Sequence, residues 1–459
     1  MQINRWMVAD HESGRGATQY LPHFLIFVVY LLAGGRFFLL IYRYSVNILA
    51  WDQWDFDDAT LFQHHSLWEM FCWQNGPHRQ GLGAIFQVVI DPLIHWNSRY
   101  EALAVGGVIF VAALLGLLLK IRLFGSVDCC DVVIPLLFLT PLQYETLVAA
   151  TNPAHGPLPL LLVVVYCFCW TMRNYRWKYI SLLVSNFLLI YTGFGIFIGV
   201  VTPVLLALDF RRNARNLAVA RCRWSAGAMA ISLASLASFF VHYRFQPYAD
   251  CFVSASRSPS NYLRFIALMF AHVAGLRIPS LTLASILGLV VMFWILAGLS
   301  LAVKRMTRES ETWPRDAVIA ALLAYGAIFC LSTAYGRLCL GLQSASSSRY
   351  TEYVVLGYLG LYFLALSISS RTLRRCLILI LLALSLLSAR RLNRIDAGGL
   401  EVMSGGKRAW RDCYLARHNV QECTALTGFR IYHNSSAAHM QEKLDFLERH
   451  HLNLYEDNR

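Results

Sequence analysis

Apolar runs of about 18 residues or more recur along most of this chain, separated by short polar connections. They predict membrane-spanning helices near 22–42, 101–119, 132–150, 157–172, 178–191, 193–208, 226–243, 281–303, 317–335, 351–369 and 373–389. The expected fold class is an all-α polytopic membrane protein with about eleven transmembrane helices. The pair 178–191 and 193–208 is short, with "YTGFG" between. It predicts two half-length helices or one strongly kinked hairpin.

Polar positions orient these spans. The basic connections "KIR" (120–122), "RNYRWK" (173–178), "RRNARNLAVARCR" (211–223), "KRMTR" (304–308) and "RTLRR" (371–375) should all face the cytoplasm. That holds with the N-terminus inside and the C-terminus outside. Counting "LGAIFQVVIDPLIHW" (82–96) as a span would put most later basic connections outside. It also holds Gln87, Asp91 and Pro92, so it predicts an amphipathic helix lying on the outer surface. The same logic makes "YLRFIALMFAHVAG" (262–275) a surface or re-entrant segment. Residues 43–100 then form a large first external loop, with a helix expected from about Ala59 to Trp73 carrying Leu61, Trp68 and Phe71 near one face. Residues 1–390 form the membrane unit and 391–459 a small external domain. Within that domain Cys413 and Cys423 would face an oxidising compartment and pair.

Composition agrees with this picture. Of 459 residues, 57% are apolar and only 15% charged, against about 25% charged in soluble domains. The net charge of +13 does not indicate a nucleic-acid partner, because the basic residues sit in the short connections. The first apolar run is too long for a cleavable signal, and no small-x-small site follows it. No CxxC or zinc spacing occurs.

Candidate chemistry begins at "AWDQWDFDD" (50–58), where Asp52, Asp55, Asp57 and Asp58 lie among Trp51, Trp54 and Phe56. Aromatics at headgroup depth would hold these carboxylates partly desolvated. Such a group can act as a base or bind a divalent cation, for which Asp52, Asp55 and Asp57 are the candidate ligands. Asp57 and Asp58 also suit the N-terminus of a following helix. Later in the loop come His64, His65, Glu69 and the turn "NGPHR" with Asn75, His78 and Arg79. Adjacent histidines on a helix point about 100° apart, a poor geometry for one metal. "YGRLCLGLQSASSSRYTEY" (335–353) places Arg337 and Arg349 on the external side, where the positive-inside bias offers no reason for them. A pair of planar, permanently charged guanidiniums at headgroup depth suits a phosphate.

External carboxylates and arginines on a many-helix scaffold fit one reaction. A sugar on a polyprenyl phosphate is attacked by an acceptor hydroxyl, a carboxylate takes the proton, and a cation stabilises the departing phosphate. The order of "WDQWDF", "QNGPHR", "GR…SRY" and an external tail resembles the bacterial multi-pass glycosyltransferases of the GT-C fold class, which use polyprenyl-phosphate sugars. The likeness is to a branch with a "WDEWDF … HNEHR … GR … SRY" pattern. It implies a GT-C-like bundle in the bacterial inner membrane with its active site at the periplasmic face. It implies Asp52 as base, or Asp55 in another register. Substrate binding would fall to Asn75, His78, Arg79, Arg337, Arg349 and Tyr350. No cofactor is required, with a divalent cation as the one option. The partners are the polyprenyl-phosphate donor, membrane lipids and a lipid, polysaccharide or protein acceptor. Two departures stand out: Gln53 replaces a glutamate of the Asp-Glu pair, and Pro77 occupies the glutamate position of "HNEHR".

The rival expectation is a transporter or flippase for a lipid-linked or anionic substrate, using the same arginines without a base. Its hints are Arg36, Asp209 and Glu145; the last two sit at span ends, and Arg36, the one charge well inside a span, is a candidate to point into the outward site. The two readings differ over whether one polar cavity contains both Asp52 and Arg349.

Overall fold

The computed structural model describes residues 20–58, 61, 65–245, 258–275, 280–308, 312–390, 392, 394–432 and 440–458. The chain is all-helical. Helices α1 (Leu21–Tyr44), α2 (Gln53–Asp57) and α3 (Leu67–Cys72) lead into a two-residue hairpin, β1 (Gln74–Asn75) and β2 (His78–Arg79). There follow α4 (Leu82–Leu93), α5 (Ser98–Phe124), α6 (Val133–Phe138), α7 (Pro157–Trp170), α8 (Tyr175–Ile190), α9 (Ile196–Arg215) and α10 (Val219–Phe239). The second half comprises α11 (Pro259–Val273), α12 (Leu281–Thr307), α13 (Trp313–Arg337), α14 (Thr351–Leu366), α15 (Arg371–Arg390), α16 (Arg394–Arg417), α17 (Val420–Thr427) and α18 (Met440–Arg449).

Among the described residues five stretches are long and apolar enough to cross a membrane: α1, α5, α12, α13 and the stretch beginning at α15. Several helices expose a lipid-like face, as with Phe24, Phe27, Leu32 and Leu39 on α1. The protein is a helical membrane protein by these measures. The short pair 178–191 and 193–208 resolves into two separate helices, α8 and α9, joined at 191–195.

Three expectations change. The apolar run 132–150 is not one helix. It breaks into α6, a 3-10 turn at Pro141–Gln143 and a π turn at Glu145–Ala149. Thr140 caps the middle piece through Leu142 N–H at 3.3 Å. Of the two alternatives for 262–275, a helix lying on the surface is excluded, for Phe265 to Ala274 of α11 are buried; a re-entrant segment is not. Arg36 does not point into an outward site; its Nη1 donates to the Ala389 carbonyl and ties α1 to α15.

The first loop also differs in detail. Ala59, Thr60 and 62–64, including His64, lie outside the described residues. The described helix α3 starts at Leu67 and is capped by Ser66, which forms a reciprocal capping box with Glu69. Trp68 and Phe71 do share a face of α3, their rings stacked 5.6 Å apart, but Leu61 does not join them: it is buried in a different cluster from Phe71. Helix α4 buries Gln87 and Asp91 while exposing Val89 and Leu93. Its apolar side is thus available to lipid, as a helix lying in the membrane surface requires.

The polar tail packs on this loop. Val46, Ile48, Leu49 and Trp54 share a core with Trp410, Tyr414, Leu444 and Leu447. Cys413 and Cys423 are disulfide-bonded, with Cα atoms 5.7 Å apart. Buried Asn453 stitches both ends of the loop together. Its carbonyl accepts from Asn47 Nδ2 at 2.7 Å, and its own Nδ2 donates to the Trp96 carbonyl at 2.6 Å.

Candidate functional site

A cavity of about 420 Å³ opens where the first loop, the broken segment 140–156, the end of α13 and the turn before α14 meet. Asp52 lines it, as do Asn75, His78, Arg337 and Arg349. Glu145, Thr146, Asn152, His155 and Met403 complete its polar and apolar walls. The size falls within the usual range for small-ligand sites, about 300–1,000 Å³.

Asp52 is held from both sides. Trp51 has φ +53°, a strained value for a bulky residue. The tail fixes it there: Trp51 N–H donates to the Ile431 carbonyl at 2.6 Å, and the indole N–H to the Arg430 carbonyl at 3.1 Å. On the other side buried Gln53 accepts from Ala50 N–H at 3.1 Å and donates to Glu101 at 2.8 Å. The exposed Asp52 carboxylate is therefore presented to the cavity by a backbone that its neighbours immobilise.

The remaining aspartates go elsewhere. The Asp55 carboxylate accepts a hydrogen bond from Tyr432 of the tail, and burial raises its pKa. Asp57 is buried, and burial followed by the nearby Glu101 pushes its carboxyl well above the usual range. Asp58 pairs with Lys443 at 2.9 Å. Asp52, Asp55 and Asp57 thus occupy three environments. Among the described residues no three His, Cys, Asp or Glu side chains converge as a metal set.

On the hairpin, Asn75 faces His78 across the Gly76-Pro77 turn, and both reach the cavity. His78 is buried, and neither ring nitrogen has a hydrogen-bond partner among the described residues. It lies 5.2 Å from the His155 ring. Burial, then Arg337, lowers the His78 pKa to about 4, so the imidazole is neutral near pH 7. Burial, His78 and Arg349 lower that of His155 as well. Unbonded neutral imidazoles on a cavity wall are available to a ligand hydroxyl.

This shift fixes a pH dependence. The folded-state pKa lies below the unfolded one, so protonation favours unfolding. The contribution of His78 to stability is intact above pH 6.5 and is lost as pH falls through about 4. Melting temperatures of wild type and His78→Gln should converge or cross across that window, on a scale of about 3 kcal/mol. A constant offset would contradict it.

Arg79, expected at the substrate, turns away. Its guanidinium donates to the Phe239 carbonyl (3.1 and 2.6 Å), the Val241 carbonyl (2.6 Å) and the Cys72 carbonyl. It thereby caps the C-terminal carbonyls of α10 and lies over the Tyr191 and Phe239 rings. Arg79→Ala should lower stability by about 2–4 kcal/mol through orphaned carbonyls. Ligand affinity, measured below the new melting temperature, should be unchanged. Lost affinity at unchanged melting temperature would restore Arg79 to the site.

Arg349 is built in. Its Nε donates to Glu145 Oε1 at 2.9 Å, Nη2 donates to the same oxygen, and Nη1 makes no bond among the described residues. Glu145 also accepts from the Ser347 hydroxyl at 2.7 Å, and its own N–H donates to Ser348 at 3.0 Å. Burial opposes the Arg349 charge. Glu145, Tyr350 and Asp52 outweigh it, so the pKa is raised. Tyr350 is buried against Phe329 and is not part of the cavity wall. Beneath lies buried Glu352, which accepts from Thr146. Gly156 passes over it with φ +127°, and a Cβ there would come 1.6 Å from its Oε2.

The structure therefore unites Asp52, Asn75, His78, Arg337 and Arg349, and separates Asp55, Asp57, Arg79 and Tyr350 from them. Sequence reasoning gave no role in this site to Glu145, Asn152 and His155, which sit in a run expected to be a span or in the connection after it. Comparisons with family models, with curated proteins and with solved structures return no match for this chain.

Proposed function

We propose that the chain is a GT-C-type glycosyltransferase. It would transfer a sugar, with inversion, from a polyprenyl-phosphate donor to an envelope acceptor at the periplasmic face of the bacterial inner membrane. One observation carries this reading: Asp52 shares a single cavity with Arg337 and Arg349. The short motifs "WDQWDF", "QNGPHR" and "GR…SRY" support it, and about eleven spans with an internal N-terminus would place the cavity outside.

In this reading Asp52 accepts the proton of the acceptor hydroxyl as its oxygen bonds to the anomeric carbon. The bond from that carbon to the phosphate oxygen breaks on the opposite face. The leaving phosphate takes the electron pair and meets Arg337 and the unbonded Nη1 of Arg349. Glu145 holds the Arg349 plane and carries no proton. Asn75, Asn152 and the two neutral imidazoles supply hydrogen bonds to sugar hydroxyls. The proton on Asp52 leaves through its solvent-exposed side. The chemistry requires no cofactor.

A transporter would use the arginines without needing a carboxylate opposite them. A single displacement has a stereochemical signature. NMR of the product should show an anomeric configuration opposite to that of the donor. A retained anomer would overturn the one-base mechanism.

A further inference from the structure

The opposite end of the bundle carries a second cleft, of about 430 Å³, that the proposed reaction does not use. Arg122 from the last turn of α5, Arg173 from the α7–α8 connection and Arg315 from the first turn of α13 line it, with Thr171 and Thr312. Among the described residues no carboxylate lines it.

Its position follows from α13 itself. Arg315 and Arg337 stand at the two ends of that helix, 22 residues and so about 33 Å apart. That is close to the thickness of a hydrocarbon core, about 30 Å. The cleft therefore lies at headgroup depth in the leaflet opposite the polar cavity.

Among the described residues the charges here are under-answered. Arg315 sits in the first turn of a helix, where the dipole disfavours a cation and favours an anion. Its guanidinium lies 5.5 Å from the Phe124 ring centroid, and its buried Nε has no hydrogen-bond partner among the described residues. The adjacent Asp316 is fully buried and engages Thr312 at 2.8 Å and Arg305 at 3.7 Å. Among the described residues Arg122 reaches only the Thr171 carbonyl, at 3.3 Å. A neighbouring cleft shows the contrast. There Lys178 bonds Asp209 at 2.6 Å and lies 4.4 Å from the Tyr179 ring centroid, so its charge is satisfied internally.

Positive-inside bias explains basic residues at this end but not their convergence from three segments on one cleft. We infer that the Arg122–Arg173–Arg315 cleft binds the phosphate group of an anionic phospholipid. Guanidiniums match phosphate oxygens in fork geometry, and the headgroup arrives at this depth without leaving the bilayer.

The test uses the purified full chain in neutral detergent with short-chain dioctanoyl phosphatidic acid. Binding is read by thermal shift and by native mass spectrometry. Saturable binding should weaken by about tenfold or more in Arg122→Gln/Arg173→Gln. The exposed single variant Arg173→Gln, with little risk to folding, should show part of the loss. Dioctanoyl phosphatidylcholine should not compete. The control Arg211→Gln/Arg215→Gln removes two exposed cations at the same end outside this cleft and should bind as wild type does. Competition by millimolar inorganic phosphate would support the site and assign a soluble phosphate as its source. Its failure to compete supports the lipid. Wild-type affinity in the cleft variants, or an equal loss in the control, overturns the inference.

Discussion

Asp52→Asn should lower sugar transfer by at least about 100-fold while leaving the melting temperature unchanged. The side chain is exposed in the cavity and makes no hydrogen bond among the described residues, and the amide has nearly the same shape. The backbone around it is set by Trp51 on the tail carbonyls and by Gln53 on Glu101, neither of which the change touches. What is lost is the ability to accept a proton. Asp55→Asn makes the contrast. It weakens the contact with Tyr432 and should cost some stability, yet leave transfer within a few-fold of wild type. If Asp55→Asn abolished transfer and Asp52→Asn did not, the base assignment would pass to Asp55.

Arg349→Gln should reduce transfer by about 10²–10³-fold, the scale for removing one preorganised group from developing anionic charge. It also strands Glu145, whose oxygens are arranged for a guanidinium, at a cost of about 1–3 kcal/mol. The double variant Glu145→Gln/Arg349→Gln separates these effects. Two amides can bond each other, so part of the stability should return. Transfer should not return, because nothing cationic remains to meet the phosphate except Arg337. Recovery of transfer together with stability would make the pair structural only.

The helical membrane class was legible because apolar run length reports burial in lipid directly, and five stretches among the described residues are long and apolar enough to cross a membrane. The convergence of Asp52 with Arg337 and Arg349 was legible because their charges sat where span topology gave no reason for them. The misplacements share a local cause. On a strand, adjacent residues point to opposite sides, so His78 enters the cavity and Arg79 leaves it. Arg349 and Tyr350 separate likewise on a tight 3-10 turn. Asp55 and Asp57 lie about 200° apart around α2 and cannot both face Asp52. Segment 132–150 was misleading because apolar content shows that a run is buried, not that it is straight. It bends so that Glu145 reaches Arg349 and Thr146 reaches Glu352. The dependence of Trp51 on Arg430 and Ile431 spans some 380 positions in the chain, and no local pattern announces it.

The most direct test of the central claim reconstitutes the wild-type chain in liposomes with a synthetic polyprenyl-phosphate sugar and an envelope extract as acceptor. Cleaved polyprenyl phosphate and glycosylated product are measured together. The account predicts that both appear in equal amounts. Movement of the intact lipid-linked sugar across the bilayer without cleavage would contradict it and favour a transporter.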